Sequence, residues 1–379
     1  MRDELLARVR LEVAAGLDPG AMLAAYSDPA RRPALRERVR HAAHGDLSDT
    51  ELDDLAAHVF GFGVLQRLLD DEAVTDVLVN SAAEIFVERY GELVRADAAF
   101  AHGDEVTELA HRIAAGVGRE LTIERPFVDA RMRDGSRANA VIAPVGGPSI
   151  SIRKFRRISL PLGGPAPSWT ASGALSDAAA RLLADAVAAR ANVLVAGATG
   201  SGKSTLLRSL AALIPGDQRL VVIEDTNELV LPHPHVVHLE GQAARESPVG
   251  IADLVANALR MRPDRIIVGE VRTPREASAL LDALSTGHDG ALTTTHAGSA
   301  AGAIDRLELL LSRAGESSPA AIRRHVLSAF DVIVHLVRRG AARAIDEVAA
   351  IEDGVIRSLY RPSDDAVGAL PAKLRRRLS

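Results

Sequence analysis

The chain has 379 residues, too many for one ordinary hydrophobic core, so two or three domains are expected. With 47% hydrophobic but only 3% aromatic residues, those cores must be built from Ala, Val, Leu and Ile. A net charge of −5 gives no global pull towards nucleic acid or anionic lipid, and the absence of cysteine excludes disulfides, thiol catalysis and Cys-ligated zinc.

The opening Met1-Arg-Asp-Glu-Leu-Leu-Ala-Arg carries acids and no continuous apolar stretch, so no signal peptide is expected. No run of about 18 uncharged apolar residues occurs, so any membrane role is expected to be peripheral. Residues 1–58 are polar, Ala/Leu-rich and broken at Asp18-Pro-Gly20, Pro29 and Pro33, which predicts short helices forming a mobile lead. Residues 59–158 read as a small α+β domain. A helical turn or two is expected over 64–70. Alternating segments 74–80 and 84–90 read as strands around a turn at Asn80-Ser81, and Gly91-Glu-Leu-Val-Arg95 completes the hairpin. A helix over 105–118 and strands over 138–143 and 149–155 follow.

Leu160-Pro-Leu-Gly-Gly-Pro-Ala-Pro-Ser168 holds three prolines and two glycines in nine residues, and a linker is expected over 159–170. Residues 171–379 change character. A helix over 176–191, N-capped by Ser176, precedes a strand at 192–196 and a helix at 203–213. Strands at 219–224 and 265–268, a helix at 274–285, a strand at 290–295, helices at 299–313 and 318–329, and a strand at 331–337 complete the pattern. Apolar strands alternating with helices predict an α/β domain whose mostly parallel sheet is covered on both faces. The basic Lys373-Leu-Arg-Arg-Arg-Leu378 reads as a solvated terminus.

Between the strand at 192–196 and the helix after it lies Gly197-Ala-Thr-Gly-Ser-Gly-Lys-Ser204, which fits G-x-x-x-x-G-K-[ST] at every constrained position. Gly197, Gly200 and Gly202 let the backbone curl so that its N–H groups face a phosphate chain. Lys203 brings charge to the β- and γ-phosphates, and the Ser204 hydroxyl reaches Mg²⁺. The helix dipole adds to the attraction. A nucleoside triphosphate is therefore expected against Gly197, Ala198, Thr199, Gly200, Ser201, Gly202, Lys203, Ser204 and Thr205.

Such a loop needs a carboxylate at a neighbouring strand end to hold the ion through water and organise the attacking water. Leu220-Val-Val-Ile-Glu-Asp-Thr-Asn-Glu-Leu229 offers Glu224, Asp225 and Glu228, and Arg265-Ile-Ile-Val-Gly-Glu270 offers Glu270. His288 and His296 bracket a third strand and fit either a γ-phosphate sensor or a hydrogen-bond donor to a carboxylate partner. As zinc ligands they would need a third or fourth partner, and His233-Pro-His235 reads as a turn. Arg119, Arg125, Arg131, Arg133, Arg137, Arg153, Arg156 and Arg157 crowd one stretch. They read either as a nucleic-acid face or as cations completing an anion site. Only Phe127 and Phe155 interleave them, which disfavours base stacking and nucleic acid as partner.

Together these segments resemble the secretion and pilus-assembly ATPases of bacterial type II and type IV systems, and most of all the Tad/Cpa pilus-assembly branch with its conjugal-transfer relatives. Leu259-Arg-Met-Arg-Pro-Asp-Arg-Ile-Ile-Val-Gly-Glu-Val-Arg272 resembles that family's Walker B region. Ile223-Glu-Asp-Thr-Asn-Glu-Leu229 is similar to its acidic box, and Thr286-Gly-His-Asp-Gly290 with Thr295-His-Ala-Gly298 to its histidine box. Asp129-Ala-Arg-Met-Arg-Asp-Gly-Ser-Arg137 and Ser151-Ile-Arg-Lys-Phe155 look like its N-terminal arginine segments.

The resemblance implies a PAS-like N-terminal domain, a RecA-like ATPase domain and ATP between them in a homohexameric ring. It implies a cytoplasmic motor at the inner face of the membrane, working on an integral-membrane platform protein. Lys203, Glu228 and Glu270 would be catalytic, with Glu228 as water-activating base. Ser204 and Glu270 would serve Mg²⁺, while Arg137, Arg153, Arg262 and His296 would stand near the phosphates. Ala198 and Ser204 depart from the family's usual glycine and threonine without losing the chemistry. Leu239-Glu-Gly-Gln-Ala-Ala244 replaces a segment that commonly carries arginine, so Arg245 receives no role. Two rivals stay open, a DNA-translocating conjugation motor and a nucleotide-switched scaffold at the membrane.

Overall fold

The structure is a computed structural model that describes residues 2–14, 18–44, 47–155, 160–226, 228–241, 248–315, 318–340, 342–364 and 366–378. Arg156, Arg157, Asn227 and Arg245 lie outside the described residues, as does residue 159 of the expected linker. The chain divides into two compact units, Met1–Arg156 and Arg157–Ser379.

The N-terminal unit opens with helices α1 (Arg2–Ala14), α2 (Pro19–Tyr26), α3 (Arg32–Ala43) and α4 (Asp49–Val59). Their starts follow from local chemistry. Asp18 accepts from Ala21 N at the head of α2, and Ser48 forms a capping box with Glu51 at the head of α4. The expectation of a mobile lead is corrected here. The helices bury Val9, Val13, Met22, Tyr26, Val39, Leu52 and Phe60 in a shared core. The sequence hides this because the apolar positions are sparse on each helix and meet only when the helices pack.

A single 3₁₀ turn, Gly63–Leu65, leads into α5 (Gln66–Asp70), then β1 (Val74–Ser81), β2 (Glu84–Arg89) and β3 (Glu92–Arg95). The turn falls at Ala82-Ala83 rather than Asn80-Ser81, because Ser81 still pairs with Glu84. Helix α6 (Gly103–Gly116) precedes β4 (Phe127–Arg131), β5 (Arg137–Val141) and β6 (Ser149–Arg153). The sheet runs β3-β2-β1-β6-β5-β4, antiparallel throughout. The inner face of this sheet packs Val77, Ile85, Val128 and Ile152 against Leu109 and Ile113 of α6. Helix α2 meets α6 backbone to backbone: a β-carbon on Gly20 would stand 2.2 Å from the Ala115 carbonyl carbon, so only glycine fits there.

The C-terminal unit does not begin with a free linker. Leu162 and Trp169 are buried in its core, and the Trp169 indole N–H donates to Ser209 Oγ at 2.9 Å. Apolar side chains in the Pro/Gly-rich stretch are thus drawn onto the α/β body. Its helices are α7 (Asp177–Ala188), α8 (Lys203–Ala211), α9 (Ile251–Ala258), α10 (Pro274–Ser285), α11 (Ala300–Ser312), α12 (Pro319–Ala329) and α13 (Ala372–Arg375). Its strands are β7 (Val193–Gly197), β8 (Leu220–Glu224), β9 (Val236–Glu240), β10 (Arg265–Val268), β11 (Leu292–Thr295), β12 (Val332–Arg339), β13 (Ala342–Glu352) and β14 (Val355–Tyr360).

The eight-stranded sheet runs β14-β13-β12-β7-β11-β10-β8-β9. From β12 to β9 it is parallel, as expected, and β13 and β14 extend it antiparallel. Alternate residues of β7 face opposite cores. Val193 and Val195 join Leu183, Leu206 and Leu210 on the α7/α8 side, while Leu194 and Ala196 join Val255, Leu281, Leu307 and Val326 on the other. Strands β4, β9, β13 and β14 and helix α9 were not expected. Strands β9 and β13 mix charged and apolar residues, and their extended form comes from pairing with distant neighbours rather than from local pattern. Among the described residues no helix is long and apolar enough to cross a membrane.

Candidate active site

The parallel strands of the C-terminal unit end at one edge, and the chemistry gathers there. Strand β7 runs into the loop 198–202, whose glycines adopt conformations a side chain would resist: φ is +73° at Gly200 and +99° at Gly202. The loop delivers Lys203 to the first turn of α8. Lys203 is buried, and its Nζ donates to Gly197 O at 2.9 Å and Ala198 O at 3.0 Å. Burial lowers the lysine's proton affinity from its ordinary value, and the Glu270 charge opposes that. Ser204 is exposed beside it, and Ala198 and Thr199 are exposed on the loop. Ser201 Oγ is buried without a hydrogen-bond partner among the described residues.

Three other strand ends converge on the lysine. His296, after β11, places Nδ1 3.2 Å from Lys203 Nζ and Nε2 2.8 Å from Glu270 Oε1. An ammonium only donates, so Nδ1 accepts; Nε2 stands close to Glu270 Oε1, a buried oxygen with no hydrogen-bond partner among the described residues. Glu270, after β10, gives its other oxygen to Arg272 at 2.8 Å, and Arg272 also reaches Asp225 at 3.1 Å. A continuous run of polar contacts therefore leads from Lys203 through His296, Glu270 and Arg272 to Asp225.

Glu224 ends β8 but turns inward. It is buried and accepts from the backbone N–H groups of Glu228 and Leu229, each at 3.1 Å. Burial outweighs those bonds and pushes its pKa up to about 7. Buried Arg208 of α8 donates to the Glu228 carbonyl oxygen. The backbone of Glu228 is thus gripped at its N–H by β8 and at its C=O by the phosphate-loop helix. Gly269 makes room for this: a β-carbon there would come within 2.9 Å of Glu224 Cγ.

Two expected residues are not brought to this edge. Arg262 precedes β10, at the end of the sheet opposite Glu270, so the four-residue strand separates it from the loop. His288 likewise stands before β11, against Thr286 and the Ala283 carbonyl. Residues near each other in a motif are sent to opposite sheet ends by the strand between them. Arg137 and Arg153 belong to the N-terminal unit, where they are direct cross-strand partners on β5 and β6, and Arg153 also binds buried Asp76 at 2.8 Å. Sequence reading left Arg272 and Arg208 without a role. The one signal was the position of Arg272 two residues beyond Glu270.

The comparisons with known proteins agree with this geometry. The sequence profile of the type II/IV secretion system protein family matches residues 59–365. A Mycobacterium tuberculosis protein provisionally named for conjugal transfer is 36% identical over 356 residues, 88% of this chain and 99% of its own length. The type IV secretion system protein VirB11 of Brucella suis is 34% identical over 316 residues, 75% of this chain and 87% of VirB11. The solved ATPase DotB of Legionella pneumophila is 23% identical and superposes over 76% of this chain and 80% of its own with a TM-score of 0.56, so the RecA-like fold is shared. Match and identity both span the phosphate loop and the strand-end acids, so the chain belongs to the type II/IV secretion system protein family, as one of its ATP-hydrolysing enzymes.

Proposed function

We propose that the chain is a Mg²⁺-dependent ATPase motor of a secretion or pilus-assembly system, acting as a homohexameric ring on an integral-membrane platform protein. The observation that carries the reading is the buried Lys203 joined through His296 to Glu270 at the mouth of the phosphate loop. Lys203 already donates to two loop carbonyls, and a phosphate oxygen is a stronger acceptor that would take over those protons. His296 and Arg272 hold Glu270 in place, and Glu228, gripped by its backbone, orients the attacking water as general base. Ser204 fits a metal ligand, since this hydroxyl-bearing residue is exposed one position after the lysine. Ser204 and Glu270 would hold Mg²⁺, which would neutralise phosphate charge. Arg137 and Arg153 are proposed to add cations to the phosphates.

Turnover of Lys203→Ala and Glu228→Gln tests the reading. Each is expected to lose about 100-fold or more in kcat, and near-parental hydrolysis in either would remove that residue from its role. The name of the mycobacterial relative favours one alternative, a conjugation motor acting on DNA. Stimulation of the ATPase by DNA, falling steeply with salt, would select it.

A further inference from the structure

The phosphate loop has two flanks, set by strand order. Strands β11 and β10 lie on one side of β7 and bring His296, Glu270 and Arg272, while β12 lies on the other. Lys203 is turned to the first flank through His296. A nucleotide whose terminal phosphate meets that flank leaves its α-phosphate and ribose on the side of β12.

That side carries two cations. Strand β12 outruns β7: Leu336 is level with Gly197, and Arg338 follows two residues on, on the same face. Across the hairpin Leu336 opposes Ile345 and Arg338 opposes Arg343, so both arginines share the face on which Leu336 meets the loop. The loop glycines measure the approach. A β-carbon on Gly200 would lie 3.5 Å from Arg338 Nη1, and one on Gly202 would lie 3.8 Å from Arg343 Cδ and 3.5 Å from Trp169 Cη2. Arg339, on the opposite face, is instead turned to Asp346 at 3.2 Å. Arg338 Nε donates to Gly340 O at 2.9 Å, which ties its stem to the hairpin turn.

The geometry points to Arg338 and Arg343 as a clamp on the α-phosphate and ribose end of the bound nucleotide, a role that rests on reading the loop as an ATP site. Two guanidinium forks suit a phosphate bidentately. The contact is made on ATP and ADP alike, because both carry the α-phosphate.

The experiment measures Kd for ATP and for ADP, with KM and kcat, in the full-length Arg338→Gln/Arg343→Gln chain. Both Kd values are expected to rise together by about tenfold or more, with kcat at saturation within about twofold of the parent. His296→Ala, by contrast, is expected to weaken ATP selectively. Parent-like Kd values for both nucleotides, weakening confined to ATP, or loss of kcat at unchanged Kd would each overturn the clamp. Should the double variant melt well below the parent, the single Arg343→Gln at an exposed position is read by the same ATP-to-ADP ratio. A parent chain that neither binds nor hydrolyses ATP would sink the proposed function itself, whereas an active parent with parent-like variants sinks only the clamp.

Discussion

Glu224 is a carboxylate that the fold has taken out of water and set to holding backbone. Its folded pKa of about 7 exceeds the ordinary 4.5, because burial penalises the charge more than three backbone contacts reward it. Between those values the folded chain keeps a proton that the unfolded chain has released. Stability contributed by this site is therefore fully present below about pH 4.5, falls as pH rises to about 7, and is flat above, a change of about 3 kcal/mol. Glu224→Gln keeps an acceptor for the Glu228 and Leu229 N–H groups and cannot ionise. Urea unfolding at several pH values should show the variant gaining on the parent across that window, and parallel curves would remove the site from the pH response. Gly290 gives a steric counterpart. Its φ is +88° and a β-carbon there would come within 2.1 Å of the buried Arg265 Nη1, so Gly290→Ala is expected to cost more than about 2 kcal/mol by thermal unfolding.

At the scale of elements, caps and cores decide what the site rests on. Helix α10 starts with a capping box in which Glu276 accepts from both Thr273 N and Arg272 N, at 3.0 and 2.7 Å. The box that begins the helix thereby also fixes the backbone of the arginine bridging Glu270 and Asp225. Thr273→Ala is expected to cost about 1 kcal/mol, read as a lowered melting temperature. In the N-terminal unit, Leu52 is 1% exposed among α1, α3 and α4. Leu52→Ala is expected to cost about 3 kcal/mol in denaturant unfolding. A loss below about 0.5 kcal/mol is what a lead outside the fold would show.

At the scale of the whole molecule, the ring remains the element proposed from kinship. Light scattering with and without a non-hydrolysable ATP analogue checks it. A mass of about six chains in the presence of nucleotide is expected, and a single-chain mass at every concentration would remove the ring from the proposal.

Local chemistry made part of this protein readable from its residues alone. The phosphate loop is eight contiguous residues, and its glycines, lysine and serine act within one turn of chain. The parallel strands announce themselves because both their faces are buried, which forces continuous apolar runs such as Leu220-Val-Val-Ile223. Strand-end acids are found by the same reasoning, Glu224 one residue and Glu270 two residues after their runs. Other features depend on contacts between residues far apart in sequence. The split of His288 from His296, and of Arg262 from Glu270, follows from a strand that spans the sheet between them. The inward turn of Glu224 depends on space left by Gly269. The antiparallel β13 and β14 exist because β12 offers them a ladder, and only that hairpin carries Arg338 and Arg343 to the loop. Sequence alone determined that phosphate is bound, since the binding groups are neighbours in the chain. Which charged side chains surround it was decided by tertiary structure, because a strand's length and register set where distant residues end.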